Sequence, residues 1–133
     1  ASGGRNLITV YTSVHNPKTR RAQVPNNNID VYVDAENNVS CVPNTLDTGK
    51  SWRTFRLYWH MASEGWEITG ITNKDGGPLD PNVFYDGKRN GRGWRIKDKN
   101  PEPGAYEYNV HVRNTETGET ICHDPVIRNG GRK

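Results

Sequence analysis

The chain has 133 residues, a formal net charge of +3 and 32% hydrophobic residues, and a chain of this length fits one domain that can bury its own core. Its four Trp and six Tyr exclude a disordered chain, because disordered chains are poor in aromatic residues. The charge is too small to indicate nucleic acid binding by itself, and no apolar run approaches the ~18 residues of a membrane span, so we expect no membrane partner.

We therefore predict a single domain over residues 1–133, with residues 1–6 as a flexible tail. In the first half, four segments alternate apolar and polar residues as β-strands do, namely residues 7–14, 29–33, 39–42 and 53–60. In the last of these, Phe55, Leu57 and Trp59 share the face that we expect to be buried.

Strand patterns continue in the second half at residues 66–71, 94–97, 105–112 and 120–127. The segment 66–71 follows Glu64-Gly65, which predicts a hairpin with the strand 53–60. Residues 72–93 are rich in Gly, Pro, Asn and Asp. They hold either a short strand or a functional loop, because roughly twenty structureless residues are unusual inside a compact domain.

These short strands predict an all-β, immunoglobulin-like antiparallel two-sheet sandwich of about seven to nine strands, with a small barrel as the alternative. Gly104-Ala105-Tyr106 favours the immunoglobulin-like form, in which a Tyr hydroxyl at this place bonds back to the preceding turn. The strand 53–60 is similar to the Trp-bearing strand of that fold. In such a sheet it would lie beside the strand 105–112.

Two dipeptides near the end, Glu102-Pro103 and Asp124-Pro125, resemble the motifs for which the bacterial DP-EP family is named. The resemblance covers residues 100–129, and it implies an immunoglobulin-like sandwich with no activity attached. The prolines themselves indicate the start of one strand and a break in an edge strand, because proline lacks a backbone donor. The functional alternative is a carboxylate pair, Glu102 and Asp124, that faces one cleft.

A cation-rich segment around one indole is the main candidate ligand site. Trp94 lies among Lys88, Arg89, Arg92 and Arg95. Cations grip phosphates while an indole stacks on a base, so this pattern fits a polyanion such as nucleic acid. It fits equally a solvated loop in which nearby acidic residues balance the charge of the cations.

The four tryptophans fall into two classes. Trp52 and Trp94 border loops and are candidate platforms for a carbohydrate ligand, since aromatic rings stack on sugars. Trp59 and Trp66 alternate with other apolar residues, which predicts that both are buried.

Three histidines, His60, His111 and His123, are candidate ligands of a transition metal if their strands are neighbours. The alternative is that each imidazole is merely solvated, and we predict no metal and no cofactor. Cys41 and Cys122 form either one disulfide, which would place the chain outside the cytoplasm, or two free thiols in a cytoplasmic protein.

No GxSxG, HExxH, P-loop or GxGxxG motif occurs in the sequence, so catalysis is disfavoured, although distant residues can converge on a site. We predict a non-catalytic binding or interaction module, with a protein or glycan as its partner. The alternative is a carbohydrate or polyanion binder that uses the Trp94 segment, and an enzyme is third.

Overall fold

The computed structural model describes residues 27–132, and the predicted strand at residues 7–14 lies outside them. The described residues form ten strands and no helix. The strands are β1 (Asn28–Val33), β2 (Val39–Val42), β3 (Thr45–Gly49), β4 (Phe55–Met61), β5 (Trp66–Asn73), β6 (Phe84–Asn90), β7 (Gly93–Asp98), β8 (Pro103–Asn114), β9 (Thr120–His123) and β10 (Val126–Gly130).

The strands form two sheets. The first has the order β2-β1-β4-β7-β6, and the second has the order β3-β10-β8-β5, with β9 also paired to β8. The long strand β8 pairs with β10 along its first half and with β9 along its second half. The predicted all-β two-sheet sandwich is confirmed. Its sheets are mixed rather than wholly antiparallel, because β1 pairs with β4, and β3 with β10, in parallel.

The core lies between the sheets and is built from the alternating apolar residues of each strand. Phe55, Leu57 and Trp59 of β4 are buried from the first sheet, and Tyr108 and Val110 of β8 from the second. The indole of Trp59 donates a hydrogen bond of 2.9 Å to the Tyr108 hydroxyl, and the two rings meet edge to face. This contact joins the sheets at the centre of the sandwich. Burial of Trp59 and Trp66 was predicted and is confirmed.

A buried polar cluster makes a second connection between the sheets. The Oδ1 atom of Asp98, in β7, accepts hydrogen bonds from the Asn129 side chain in β10 (2.9 Å) and the Asn100 backbone amide (2.8 Å). The Asn100 side chain in turn bonds to the backbone of Gly49 and Gly131. The Oδ2 atom of Asp98 has no partner among the described residues, and burial raises the pKa of this carboxyl to about 6.

The connections between strands differ from the prediction in two places. The predicted hairpin at Glu64-Gly65 is wrong, because β4 belongs to the first sheet and β5 to the second. The stretch 72–93 contains β6, which forms a hairpin with β7 instead. The strand β3 has no predicted counterpart, since Leu46 is the only large apolar residue in it.

The two dipeptides lie at strand boundaries. Pro103 begins β8 as predicted, and Asp124-Pro125 separates β9 from β10. The expectation of an edge strand is wrong for β10, which lies between β3 and β8. Tyr106 does not bond back to the preceding turn: within residues 27–132 its hydroxyl makes no hydrogen bond, and its ring packs edge-on against Phe84.

Candidate functional site

Polar side chains cross the outer face of the first sheet in two rows. In one row, Tyr58 of β4 lies beside Arg95 of β7, which lies beside Lys88 of β6. In the next row, Arg56 of β4 lies beside Lys97 of β7. Neighbouring strands are ~4.8 Å apart, so each row extends over about 10 Å at most. A cleft of about 190 Å³ opens here. We call its polar lining the basic face: Arg56, Tyr58, Asp86, Lys88, Arg95 and Lys97.

Strand alternation and one bulge place these side chains together. Because Phe55 and Leu57 point into the core, Arg56 and Tyr58 point outward. The pairing of β6 with β7 shifts register between Tyr85 and Lys88, and Asp86 has a φ of 56°. This bulge brings the Asp86 carboxylate over the lysines that flank it, as bulges commonly redirect side chains.

The charge of the basic face is unbalanced. Asp86 forms salt bridges with Lys97 (3.3 Å) and Lys88 (3.7 Å), and its hydrogen bond to Lys97 and the charge of Lys88 hold the pKa of the carboxyl below its usual value. Arg56 and Arg95 form no salt bridge with any residue in the described range 27–132. One carboxylate therefore faces four cations around the cleft.

A second cleft of about 380 Å³ extends the positive surface. It shares Arg56 and Tyr58 with the first cleft and adds Lys50 and Arg53 from the loop between β3 and β4. Neither of these added cations has a salt bridge to a described residue. An anionic chain that lay across the sheet could therefore contact cations in both clefts.

Aromatic rings lie beside these cations. Tyr58 stacks on His60 with 6.3 Å between ring centroids and an angle of 20° between planes. The His60 ring is oriented by a 2.8 Å hydrogen bond to Asn28. Tyr85 is 40% exposed, and the ammonium groups of Lys97 and Lys99 lie 5.7 and 5.3 Å from the centre of its ring.

No protein-family model and no curated protein matches the chain. The described residues include no helix that could cross a membrane. The function is therefore inferred from the geometry of this surface.

The structure divides the predicted cationic segment between two sides of the sheet. Lys88 and Arg95 belong to the basic face. Arg89 points the other way and forms a 2.9 Å salt bridge with Glu67 of β5. Arg92, in the turn between β6 and β7, donates hydrogen bonds to three backbone carbonyls, those of Met61, Ser63 and Trp66. The segment is thus a strand hairpin in which only alternate cations face the cleft.

The two predicted aromatic platforms lie apart from the basic face. Trp94 is half-buried on the side of β7 opposite Arg95, in a shallow, mostly apolar cleft that Ile71 and Leu79 also line. Trp52 is 66% exposed in the loop after β3, and it lines neither of the two clefts that meet at Tyr58. The structure does not bring either indole together with Lys88 and Arg95.

The three candidate histidines are not neighbours. The expected adjacency is wrong, because His60 lies in the first sheet while His111 and His123 lie in the second. Each ring instead bonds to one side-chain oxygen, that of Asn28, Thr72 or Asn44 respectively. Among residues 27–132 no three His, Cys, Asp or Glu side chains are grouped closely enough to hold a metal ion.

The cysteines and the carboxylates of the dipeptides also lie apart. Cys41 and Cys122 are free thiols in the structure rather than a disulfide. Cys41 points into the core, where burial raises the pKa of its thiol to about 12, whereas Cys122 is exposed and pairs in register with His111. Glu102 and Asp124 are both exposed, and they make no hydrogen bond to each other.

Sequence reasoning missed the part of the site that β4 contributes. The alternation at residues 53–60 already places Arg56 and Tyr58 on the outward side. Their contact with the basic hairpin depends on the pairing of β4 with β7, which are distant in sequence. The inward and outward alternation of side chains along β4 was therefore the available signal. The order of the strands in the sheet was the missing information.

Proposed function

We propose that the chain is a non-catalytic binding module that takes anionic polymers on its basic face. The main support is the arrangement of four cations around one carboxylate, in which Arg56 and Arg95 form no salt bridge with a described residue. An Arg guanidinium suits such a ligand, because its planar donors can form two hydrogen bonds to one phosphate.

The energetics of the sheet also favour a ligand. Arg95 and Lys88 are directly paired across β6 and β7, and like charges placed opposite each other destabilise a sheet. A surface that served only as scaffold would gain nothing from this pairing. Negative groups of a bound polymer would remove the repulsion and release counterions.

We further propose that the module is bacterial and of the immunoglobulin-like class, as its resemblance to the DP-EP family implies. The two-sheet sandwich and the buried Trp59 at its centre support the immunoglobulin-like class. The departure is that β4 and β8 lie in opposite sheets here. Trp59 therefore contacts Tyr108 across the core rather than within one sheet.

The proposal is tested by a matched pair of double variants. Arg56→Ala/Arg95→Ala removes two cations from the basic face. Lys74→Ala/Arg128→Ala removes two cations from exposed salt bridges elsewhere, with Glu107 and Asp47, so the net charge changes equally. Binding is measured by retention on heparin and by anisotropy with a labelled DNA oligonucleotide at low salt.

We expect wild-type protein to bind these polyanions and the basic-face variant to lose at least about tenfold in affinity, since hydrogen bonds to charged groups contribute about 1.5–3 kcal/mol each. The control variant should bind nearly as wild type does. Equal losses in both variants would show that only net charge matters and would contradict the proposal. So would failure of the wild-type protein to bind either polymer.

A further inference from the structure

We infer that the anionic polymer is a single-stranded nucleic acid. The inference rests on the proposed function and adds the class of ligand. It depends on two aromatic rings, Tyr58 of the basic face and Tyr85 beside Lys97, which a ligand recognised only by its charge would not need.

The rings and the cations alternate across the sheet. Tyr58 of β4 and Tyr85 of β6 lie on either side of β7, and Arg95 and Lys97 of β7 lie between them. A single strand offers the matching alternation, because its bases can stack on rings while its phosphates contact the cations between them.

The first ring is held in place before any ligand arrives. Tyr58 lines both clefts and is stacked on His60, which is itself oriented by Asn28. A ring whose orientation is fixed loses little conformational freedom on binding. Tyr58 is therefore the best candidate for the ring that stacks on a base.

The second ring combines stacking with charge. Tyr85 has 40% of its surface exposed, and the cations of Lys97 and Lys99 lie within 6 Å of its centre, at 5.7 and 5.3 Å. A base that stacked on Tyr85 would take the place of an ammonium group at the ring, and that ammonium group would then be free to contact the phosphate. Arrangements of this kind bind single strands with little sequence preference.

Other polyanions fit the surface less completely. A duplex keeps the faces of its bases inside the stack, so Tyr58 and Tyr85 would have no base to contact. A sulfated glycan would contact the cations but has no base to stack. Both are outcomes that the experiment separates.

The experiment compares four labelled or competing probes with the full chain by fluorescence anisotropy. The probes are an oligothymidylate of about 12 nucleotides, within the range of site sizes for sheet-based single-strand binders, a duplex of equal length, an abasic strand of equal length, and a heparin fragment of similar charge. We expect the oligothymidylate to bind at least about tenfold more tightly than the abasic strand.

Variants of one ring test the stacking contact. Tyr58→Leu is expected to weaken oligothymidylate binding by about 5- to 150-fold, as loss of a stacked base does, and to leave binding of the abasic strand unchanged. Tyr58→Phe keeps the ring and should bind as wild type does. Tyr32→Leu is the control, because Tyr32 is 43% exposed and lines neither cleft.

The outcomes separate this inference from the proposed function. If abasic strand and heparin bind as tightly as oligothymidylate, and Tyr58→Leu changes nothing, the inference is overturned while polyanion binding stands. Tighter binding of the duplex than of the single strand overturns the inference in the same way. If no probe binds, both proposals fail.

Discussion

The outer faces of the two sheets differ in how far their charged side chains are paired in salt bridges. On the second sheet, Arg113 pairs with Glu67 at 2.7 Å, and Lys74 pairs with Glu107 at 3.2 Å. On the first sheet, Arg95 has no salt bridge to a described residue although it lies in a row of cations. The two faces share one core, so the difference belongs to their surfaces rather than to their scaffold.

This contrast identifies the first face as the one that can bind an anionic ligand. Exposed salt bridges contribute about 0–1 kcal/mol, so the pairs on the second face do little for stability, but they do neutralise its charge. The first face retains its charge in Arg56 and Arg95. A surface of unneutralised cations attracts anions and speeds their association.

The largest expected effect is a loss of stability from a substitution in the core that both faces share. Trp59→Ala removes a fully buried indole and its bond to Tyr108, and we expect the free energy of unfolding to fall by about 3–5 kcal/mol. Denaturant unfolding measures the change. Trp52→Ala, at a position that is 66% exposed, is the control and should change stability by less than about 0.5 kcal/mol. Similar effects of the two substitutions would contradict the assignment of the core.

The next effect concerns the polar contact between the sheets and depends on pH. Because burial raises the pKa of Asp98 to about 6, the folded state holds its proton more tightly than the unfolded state does. Asp98 therefore makes unfolding progressively easier as the pH rises from about 4 to 6, by up to about 3 kcal/mol in total.

The Asp98→Asn variant isolates this contribution. Denaturant unfolding at pH 4 and pH 7 should show a smaller loss of stability over this interval in the variant than in the wild type. The carboxylates held by cations, such as Glu67, lose their stabilising effect as the pH falls from the ordinary carboxyl pKa to their lowered pKa values. They therefore act in the opposite direction. An identical pH dependence in both proteins would mean that the folded state does not raise the pKa of Asp98.

A smaller effect, on polyanion affinity, is expected from replacing the one carboxylate of the basic face. Asp86→Asn releases Lys88 and Lys97 from their salt bridges, and we expect polyanion affinity to rise about three- to tenfold, because single-strand binding gains from each neutralised phosphate. Asp47→Asn is the matched control, since Asp47 pairs with Arg128 on the second sheet. Competition binding at fixed salt measures both. A lower affinity in Asp86→Asn would show that Asp86 positions the lysines.

The smallest effect should come from removing a carboxylate of the second face. Glu67→Gln frees Arg89 and Arg113 together, and it should produce only weak additional retention on heparin, because neither cation lies in the clefts of the basic face. Thermal unfolding should show a minor loss of stability. A gain in affinity as large as that of Asp86→Asn would mean that polyanions bind both faces alike.

Much of the fold is predictable from local alternation. The pattern Phe55, Leu57, Trp59 identifies β4, and the run 105–112 identifies the buried side of β8. Strand β3 is not predictable in this way. Leu46 is its only large apolar residue, and its other buried side chain, Thr48, is polar and donates a hydrogen bond to Asn129. Which strands pair is a long-range property that alternation does not carry.

The site is less predictable than the fold for a physical reason. Successive residues of a strand point to opposite faces, so the cationic segment that looks continuous in sequence separates into Lys88 on one side and Arg89 on the other. The bulge at Asp86 and the pairing of β7 with β4 then bring in Arg56 and Tyr58. Gly87 is a local signal of the bulge, but the pairing of β7 with β4 has none.

The salt dependence of binding to a single-stranded oligonucleotide tests most directly whether the basic face contacts phosphates. Each phosphate neutralised contributes about −0.7 to the slope of log affinity against log salt concentration. Arg56→Ala/Arg95→Ala should therefore make the slope about 1.4 less negative than in the wild type, while Lys74→Ala/Arg128→Ala leaves it unchanged. If the slope of Arg56→Ala/Arg95→Ala equals that of the wild type, these arginines do not contact phosphates and the central claim is contradicted.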